Sequence, residues 1–348
     1  MTETAQIIEA FDARVERRNE RRDLFKAVLG AAAVGTGFAF ATAAQAQTVG
    51  DNDILNFALN LEYLEAQFYS YAANGTGLLS TQVTGTGTQG AVVTTGTAPP
   101  RAVNFTGEPV IAQYAREIAA DEIAHVNFLR AALGSTTAVA QPAINISGGF
   151  NADGTPGAFS AAARAAGIAT TTGLLGAPQS ATGTFDPYSS PDAFLLGSFI
   201  FEDVGVTAYK GASPLLSSAV FLDAAAGILA VEAYHAAIVR TALYSRGVAA
   251  PSLRTAADAI SDIRDVVDGA PAIDLNRGIG PDDDQGISPV TISGGTGSNI
   301  APLNANGLAY SRSAAQTLNV VYLSRSSVTG GGFFPNGVNG TIRASAAN

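Results

Sequence analysis

Apolar positions in the stretch after Asp53 recur with the period of a helix: Leu55, Leu59, Glu62, Ala66 and Tyr69 lie three or four residues apart on one face. The spacing predicts a helix over about 54–73, with Asp51 or Asp53 as its cap and Asn74-Gly75 as its stop. Glu108-Pro109 opens a second helix, 110–133, with proline in the first turn, where its missing N–H costs nothing. Ser190-Pro191-Asp192 starts a third, 191–210, ended by Gly211. After a turn at Ser213-Pro214, a fourth covers 217–246 and closes at Gly247. An accessory helix over 251–268 carries Leu253, Ala257, Ile260, Ile263 and Val267 at helical spacing, and a short helix is expected near 158–166.

The segments between these helices change character. Residues 75–107 are rich in Thr and Gly and nearly free of charge, which suggests a long exposed crossover with short strand segments around Gln82 to Thr94. Residues 134–190 are a second Gly/Ala/Ser/Thr-rich stretch. From 269 to 348 the pattern turns to short β-prone runs, at Val290–Ile292, Asn319–Leu323 and Thr341–Arg343, broken by Gly, Pro and Asn. The expected fold is therefore mainly α. A four-helix bundle spans 51–246 with a long crossover and insertions, and a β-containing extension packs against it or forms an interface.

Residues 1–46 read as an export leader rather than as fold. Arg21 and Arg22, followed by Phe25 and Lys26, precede an apolar run from Ala27 to Ala43, and Ala44-Gln45-Ala46 offers a small-x-small cleavage site after Ala46. The paired arginines resemble a twin-arginine signal with a long polar lead. Retention as a membrane anchor is the alternative, disfavoured by a run that is short and full of Ala and Gly. The leader is charge-balanced, so its loss leaves the formal charge at -10. That acidity excludes an electrostatic footprint for nucleic acid. Absence of cysteine excludes disulfides and thiolate chemistry. The expected location is periplasmic or extracellular, with the export machinery as a transient partner.

Only 14% of the chain is charged, so acidic residues inside apolar helical runs stand out. Glu122-Ile123-Ala124-His125 matches Glu232-Ala233-Tyr234-His235, and these are the only two histidines in the chain. Residues three apart share a helix face, so each Glu-x-x-His can aim both side chains at one centre. The other two helices repeat a weaker pattern, with Tyr69 seven residues after Glu62 and Tyr209 seven after Glu202. Two helix pairs thus supply Glu62, Glu122, His125, Glu202, Glu232 and His235. Four carboxylates neutralise two divalent cations, two bridging and two terminal, with one imidazole on each. Without metal they would repel one another in an apolar bundle. Iron or manganese suits this oxygen-rich donor set, and zinc would fill it without redox chemistry. Glu65, Tyr63, Tyr69, Tyr209 and Tyr234 are candidates for the layer behind these ligands; the alternative for the tyrosines is to fill core space with the hydroxyl at its edge, and for Glu65 to be solvated, since its counterpart is Gly205. Asp121 and Asp203, beside ligands, are expected mainly at the surface, with support of the histidines as the alternative.

Asn56-Phe57-Ala58-Leu59-Asn60-Leu61-Glu62-Tyr63-Leu64-Glu65-Ala66-Gln67-Phe68-Tyr69 resembles the opening helix of the exported ferritin-like domain family, which includes the desiccation-related proteins. The segment Phe333-Phe334-Pro335-Asn336-Gly337-Val338-Asn339-Gly340 is similar to the end of desiccation-related members. The resemblance implies a ferritin-like bundle with the six residues above as metal ligands. The donor set itself points to redox chemistry on peroxide, oxygen, ferrous iron or a small substrate, whereas the export leader and the desiccation-related resemblance favour the alternative, a structural, stress-protective role in which metal only stabilises the bundle. The long insertions disfavour a 24-subunit cage, leaving a homo-oligomer or envelope assembly as the expected higher order.

Overall fold

A computed structural model describes residues 49–169, 183–269 and 284–348, apart from 293 and 305. The leader motif Arg21, Arg22, Phe25, Lys26 and the cleavage point after Ala46 lie outside the described residues. Four long helices dominate: α1 (Asp51–Asn74), α2 (Pro109–Leu133), then α4 (Pro191–Ala212) and α5 (Ala219–Arg246), with the short α3 (Ala158–Ala165) before α4. They are followed by α6 (Ser252–Asp268), an antiparallel hairpin of β1 (Val290–Ile292) and β2 (Gly295–Gly297), and α7 (Ala314–Tyr322).

Local chemistry accounts for the helix ends. Gly50, not Asp51 or Asp53, is the N-cap of α1, and its N–H donates to the Asp53 carboxylate at 2.9 Å. Asp51 lies inside the first turn and accepts from the backbone N–H groups of Ser217 and Ser218, 2.9 and 2.8 Å away, which ties α1 to the start of α5. Gly75 closes α1 at φ 76°, a conformation that favours glycine. Ser190 caps α4 by accepting from Ala193 N–H at 3.1 Å.

Helices α1 and α2 run antiparallel. Asn56, early in α1, donates to Thr137 O just past the end of α2, whereas Val103 N–H, ahead of α2, donates to Ala72 O late in α1. Arg246 at the end of α5 pairs with Asp192 at the start of α4, so the second pair is antiparallel too. A cluster of phenylalanines joins these pairs to the rest. Phe68 of α1 lies 5.1 Å from Phe159 of α3 and 5.7 Å from Phe201 of α4, and Phe201 lies 4.9 Å from Phe333 of the extension, ring centre to ring centre. Such pairs add roughly 0.5–1.5 kcal/mol each beyond the area they bury.

The Gly/Thr-rich segments are less free than their composition suggests. Residues 86 and 92 bridge in parallel to 139 and 144, as isolated bridges rather than the strands expected around Gln82 to Thr94. A Cβ at Gly85 or Gly90 would stand 2.4 Å from Ala138 O or 2.2 Å from Ala143 N, so these glycines permit backbone contact. The extension departs further from the β reading. Asn319–Leu323 is not a strand but lies in α7 and its C-cap, started by reciprocal Ser313–Gln316 capping, and Thr341–Arg343 forms no strand. Burial of Leu318, Val321 and Tyr322 in the core outweighs the β-propensity of their neighbours.

Asn339 staples the tail down. Its side chain donates to Thr88 O (2.9 Å) and Ala140 O (2.8 Å) and accepts from Thr88 N–H (3.0 Å), while its backbone exchanges two bonds with Asn60 of α1. Three side-chain bonds at about 1 kcal/mol each, partly replaced by water, set the expected effect of Asn339→Ala at a loss of about 2 kcal/mol of unfolding free energy. Chemical denaturation measures it, and an unchanged midpoint would contradict this role.

Candidate metal centre

The six predicted residues converge. One donor atom each from Glu62, Glu122, His125 and Glu232 lie within 4.8 Å of one another, as do one each from Glu202, Glu232 and His235. Both histidines present Nδ1 inwards. His125 Nδ1 stands 3.2 Å from Glu62 Oε2, 3.7 Å from Glu122 Oε2 and 3.6 Å from Glu232 Oε1. His235 Nδ1 stands 3.0 Å from Glu122 Oε1 and 3.8 Å from Glu202 Oε2. Glu122 therefore spans the two imidazoles with one oxygen towards each, and Glu232 belongs to both groups. These two have the placement of bridging ligands, and Glu62 and Glu202 that of terminal ones.

The electrostatics call for a cation. Both oxygens of Glu122, both of Glu232, Glu202 Oε2 and His235 Nδ1 are buried with no hydrogen-bond partner among the described residues. Even the 3.0 Å approach of His235 to Glu122 is not aligned as a hydrogen bond. Burial, then the charge of Glu122, lifts the Glu62 carboxyl to about 7. Burial lifts Glu202 to about 8 despite His235, with Glu122 adding to the rise. Burial and the surrounding carboxylates push Glu232 well above the ordinary range. Burial opposes the charge on the imidazoles, but Glu62 and Glu122 outweigh it and raise His125 to about 11. Two divalent ions between these donors would satisfy every orphaned atom at once, so the residues fit the metal pair.

Behind the ligands, the two halves are cross-linked. Tyr69 of α1 donates to Glu202 Oε1 of α4, and Tyr209 of α4 donates to Glu62 Oε1 of α1. Each terminal carboxylate thus gives one oxygen to a tyrosine of the opposite helix pair and turns the other inwards. Burial, then the partner carboxylate, raises both phenols well above their ordinary value, which keeps them protonated donors. Glu65 is buried, not solvated, and burial with the charges of Glu122, Glu202 and Glu62 raises its pKa well above the ordinary range.

Other expected residues lie elsewhere. Tyr63 donates to Val139 O at 3.1 Å and accepts from Arg130 at 2.5 Å, and Tyr234 is 72% exposed. Each is next in sequence to a ligand, and neighbours on a helix point about 100° apart. Asp121 does support a histidine, its Oδ2 standing 3.1 Å from His235 Nε2. Asp203, expected at the surface, is buried and accepts from Arg240 and Arg264 at 2.8 Å each. That pairing joins α4 to the extension, because Arg240 also donates to Gly286 O and Asn299 O. No spacing rule pointed to these arginines. Gly205 was visible only as the unmatched counterpart of Glu65, yet a Cβ there would sit 2.4 Å from Glu232 Oε2.

Two tests follow from this geometry. Gly205→Ala should push Glu232 off its bridging position and weaken metal binding at least about tenfold while the chain still folds; equal affinity by calorimetry would contradict it. Raised pKa values mean that the metal-free site holds protons which metal must displace. Affinity should therefore fall as pH drops through about 8 and then 7, where Glu202 and Glu62 take up protons, and rise above that range. Proton release measured in buffers of different ionisation enthalpy checks the sign, and a pH-independent affinity would refute it.

Comparison with known proteins agrees with this construction. Residues 50–245 match the family model described as a ferritin-like domain. The chain is 28% identical to "Ferritin-like catalase Nec2" of Nesocodon mauritianus over 299 residues, 84% of each chain. It is 31% identical to "Desiccation-related protein PCC13-62" of Craterostigma plantagineum over 196 residues, 56% of this chain and 54% of that one. No solved structure matches. The family match spans all four long helices and all six converging residues: the chain belongs to the ferritin-like domain family.

Proposed function

We propose that this chain is an exported dinuclear iron or manganese protein that disproportionates hydrogen peroxide, two molecules giving two of water and one of oxygen. The observation that carries it is the pair of Nδ1-facing histidines with four buried carboxylates, five of whose oxygens, on Glu122, Glu232 and Glu202, lack a hydrogen-bond partner among the described residues. When bound, iron or manganese supplies the two-electron exchange with peroxide. Glu122 and Glu232 would hold the two cations together, and His125 and His235 would give each one nitrogen donor. Tyr69 and Tyr209 keep Glu62 and Glu202 from closing both oxygens onto a cation, which leaves room for a small oxidant. Surrounding helices exclude bulk water, so the charges act at full strength.

Similarity to a protein named a ferritin-like catalase supports this chemistry over ferrous-iron or organic-substrate oxidation. Disproportionation also needs no external reductant, which suits the export that the paired arginines and Ala44-Gln45-Ala46 suggest. A second reading is stress protection with a purely stabilising metal, favoured by the likeness to a desiccation-related protein.

Purified full-length protein should hold about two iron or manganese ions per chain and evolve oxygen from peroxide. Glu232→Gln, which removes one bridge, should lower turnover by at least about a hundredfold together with metal content. Unchanged oxygen evolution in that variant refutes the active-site assignment. Full metal occupancy without turnover in the unaltered chain favours the stabilising reading. Amino-terminal sequencing of protein from the periplasm or medium should begin at Gln47, and an intact leader on cytoplasmic protein would contradict export.

A further inference from the structure

The cluster is walled in on one side and approachable from the other. On the α1/α4 side lies a cavity of about 10 Å³, room for one water at most, bounded by Glu62, Glu65, Gly205 and Tyr209 and roofed by Val321 and Phe333 of the extension. Between α2 and α5 runs a groove of about 720 Å³. Its walls include Glu117, Asp121, Val231 and Tyr234, and it reaches His235, which is only 2% exposed. Glu117 and Asp121, four residues apart on α2, share the face that borders it.

Asp121 connects the two environments. Its side chain is 42% exposed, yet its Oδ2 stands 3.1 Å from the inward-turned ring of His235. The Nδ1 on the far side of that ring and the oxygens of Glu122 and Glu232 beyond it are buried, with no hydrogen-bond partner among the described residues. The basic residue at the groove, Arg246, is engaged by Glu108 and Asp192 and does not offset the acidic wall. The internal duplication places Val231 where α2 has Asp121, so the second copy of the motif lacks this carboxylate.

We propose that this groove is the entrance through which hydrated divalent cations reach the cluster, with Asp121 as the carboxylate that passes them to the His235 position. A hydrated cation is about 7 Å across, which the groove admits and the opposite cavity does not. Negative charge along α2 raises its local concentration and its rate of arrival. The inference rests on the metal reading above, but concerns the route and not the reaction.

The test is the rate at which metal-free full-length protein takes up cobalt(II), followed by visible absorption in a stopped-flow instrument. The double variant Glu117→Gln/Asp121→Asn should load about tenfold more slowly, and the unaltered chain should slow as salt rises. Ala237→Phe, which narrows the groove without changing charge, should also slow uptake. Asp223→Asn, an exposed charge on α5 outside the groove, should load at the unaltered rate, and all variants should end at about two cobalt ions per chain. Normal rates in both the double variant and Ala237→Phe overturn the groove route while leaving the metal reading intact. No cobalt uptake by the unaltered chain at equilibrium overturns both.

Discussion

Glu62, Glu65, Glu122, Glu202 and Glu232 lie inside an apolar bundle, none more than 6% exposed, and keeping that much acid out of water constrains everything around it. An isolated carboxylate transferred into such surroundings costs several kcal/mol even after relaxation. Part of the cost is met by the two imidazoles and the two phenols that face these groups. The remainder calls for cations or protons. The bundle accordingly holds a site whose metal-free form takes up protons on Glu202 and Glu62 as pH falls through about 8 and then 7.

Holding such a site requires a rigid frame, and much of the chain outside the bundle supplies it. Arg240 and Arg264 clamp Asp203, the residue after Glu202, while Arg264 also pairs with Asp284 of the extension. Phe333 packs on Phe201, the residue before Glu202. Asn339 fastens the same tail to α1 two residues before Glu62 through its bonds with Asn60. A buried ion pair contributes little net stability against an apolar substitute, so the value of the arginine–aspartate group lies in fixing geometry. One terminal ligand is thus braced from both sides by residues that come late in the sequence.

The internal duplication makes the departures from symmetry informative. Glu62 and Glu202, with Tyr69 and Tyr209, are nearly interchangeable, and each tyrosine serves the opposite half. Three pairs break the match. Glu65 faces Gly205 across the repeat, where the missing Cβ leaves room for Glu232. Asp121, which meets the outer nitrogen of His235, is replaced by Val231 in the repeat. Asp203 corresponds to Tyr63, one anchoring the extension and the other bonded to the loop after α2. The two halves of the candidate site are therefore chemically unequal although each offers Glu from one helix and Glu-x-x-His from the next.

Helical period, capping residues and two Glu-x-x-His spacings determined the four long helices to within a few residues and brought out all six converging side chains. Those features are local, because residues three, four or seven apart share a face whatever the rest of the chain does. The sequence also marked Tyr69 and Tyr209, but not that each reaches across to the other helix pair, since that depends on how α1 and α4 pack. It left Tyr63 open between the site and the core, where it lies, misplaced Tyr234 and Asp203, and made a strand of residues that belong to α7, where capping and core contacts outweigh β-propensity. Which carboxylates bridge, which face of the bundle is sealed, and where Asp121 meets water were decided only by the tertiary structure. Each depends on contacts between residues far apart in sequence, such as Asp121 with His235 and Phe201 with Phe333, that no local spacing encodes.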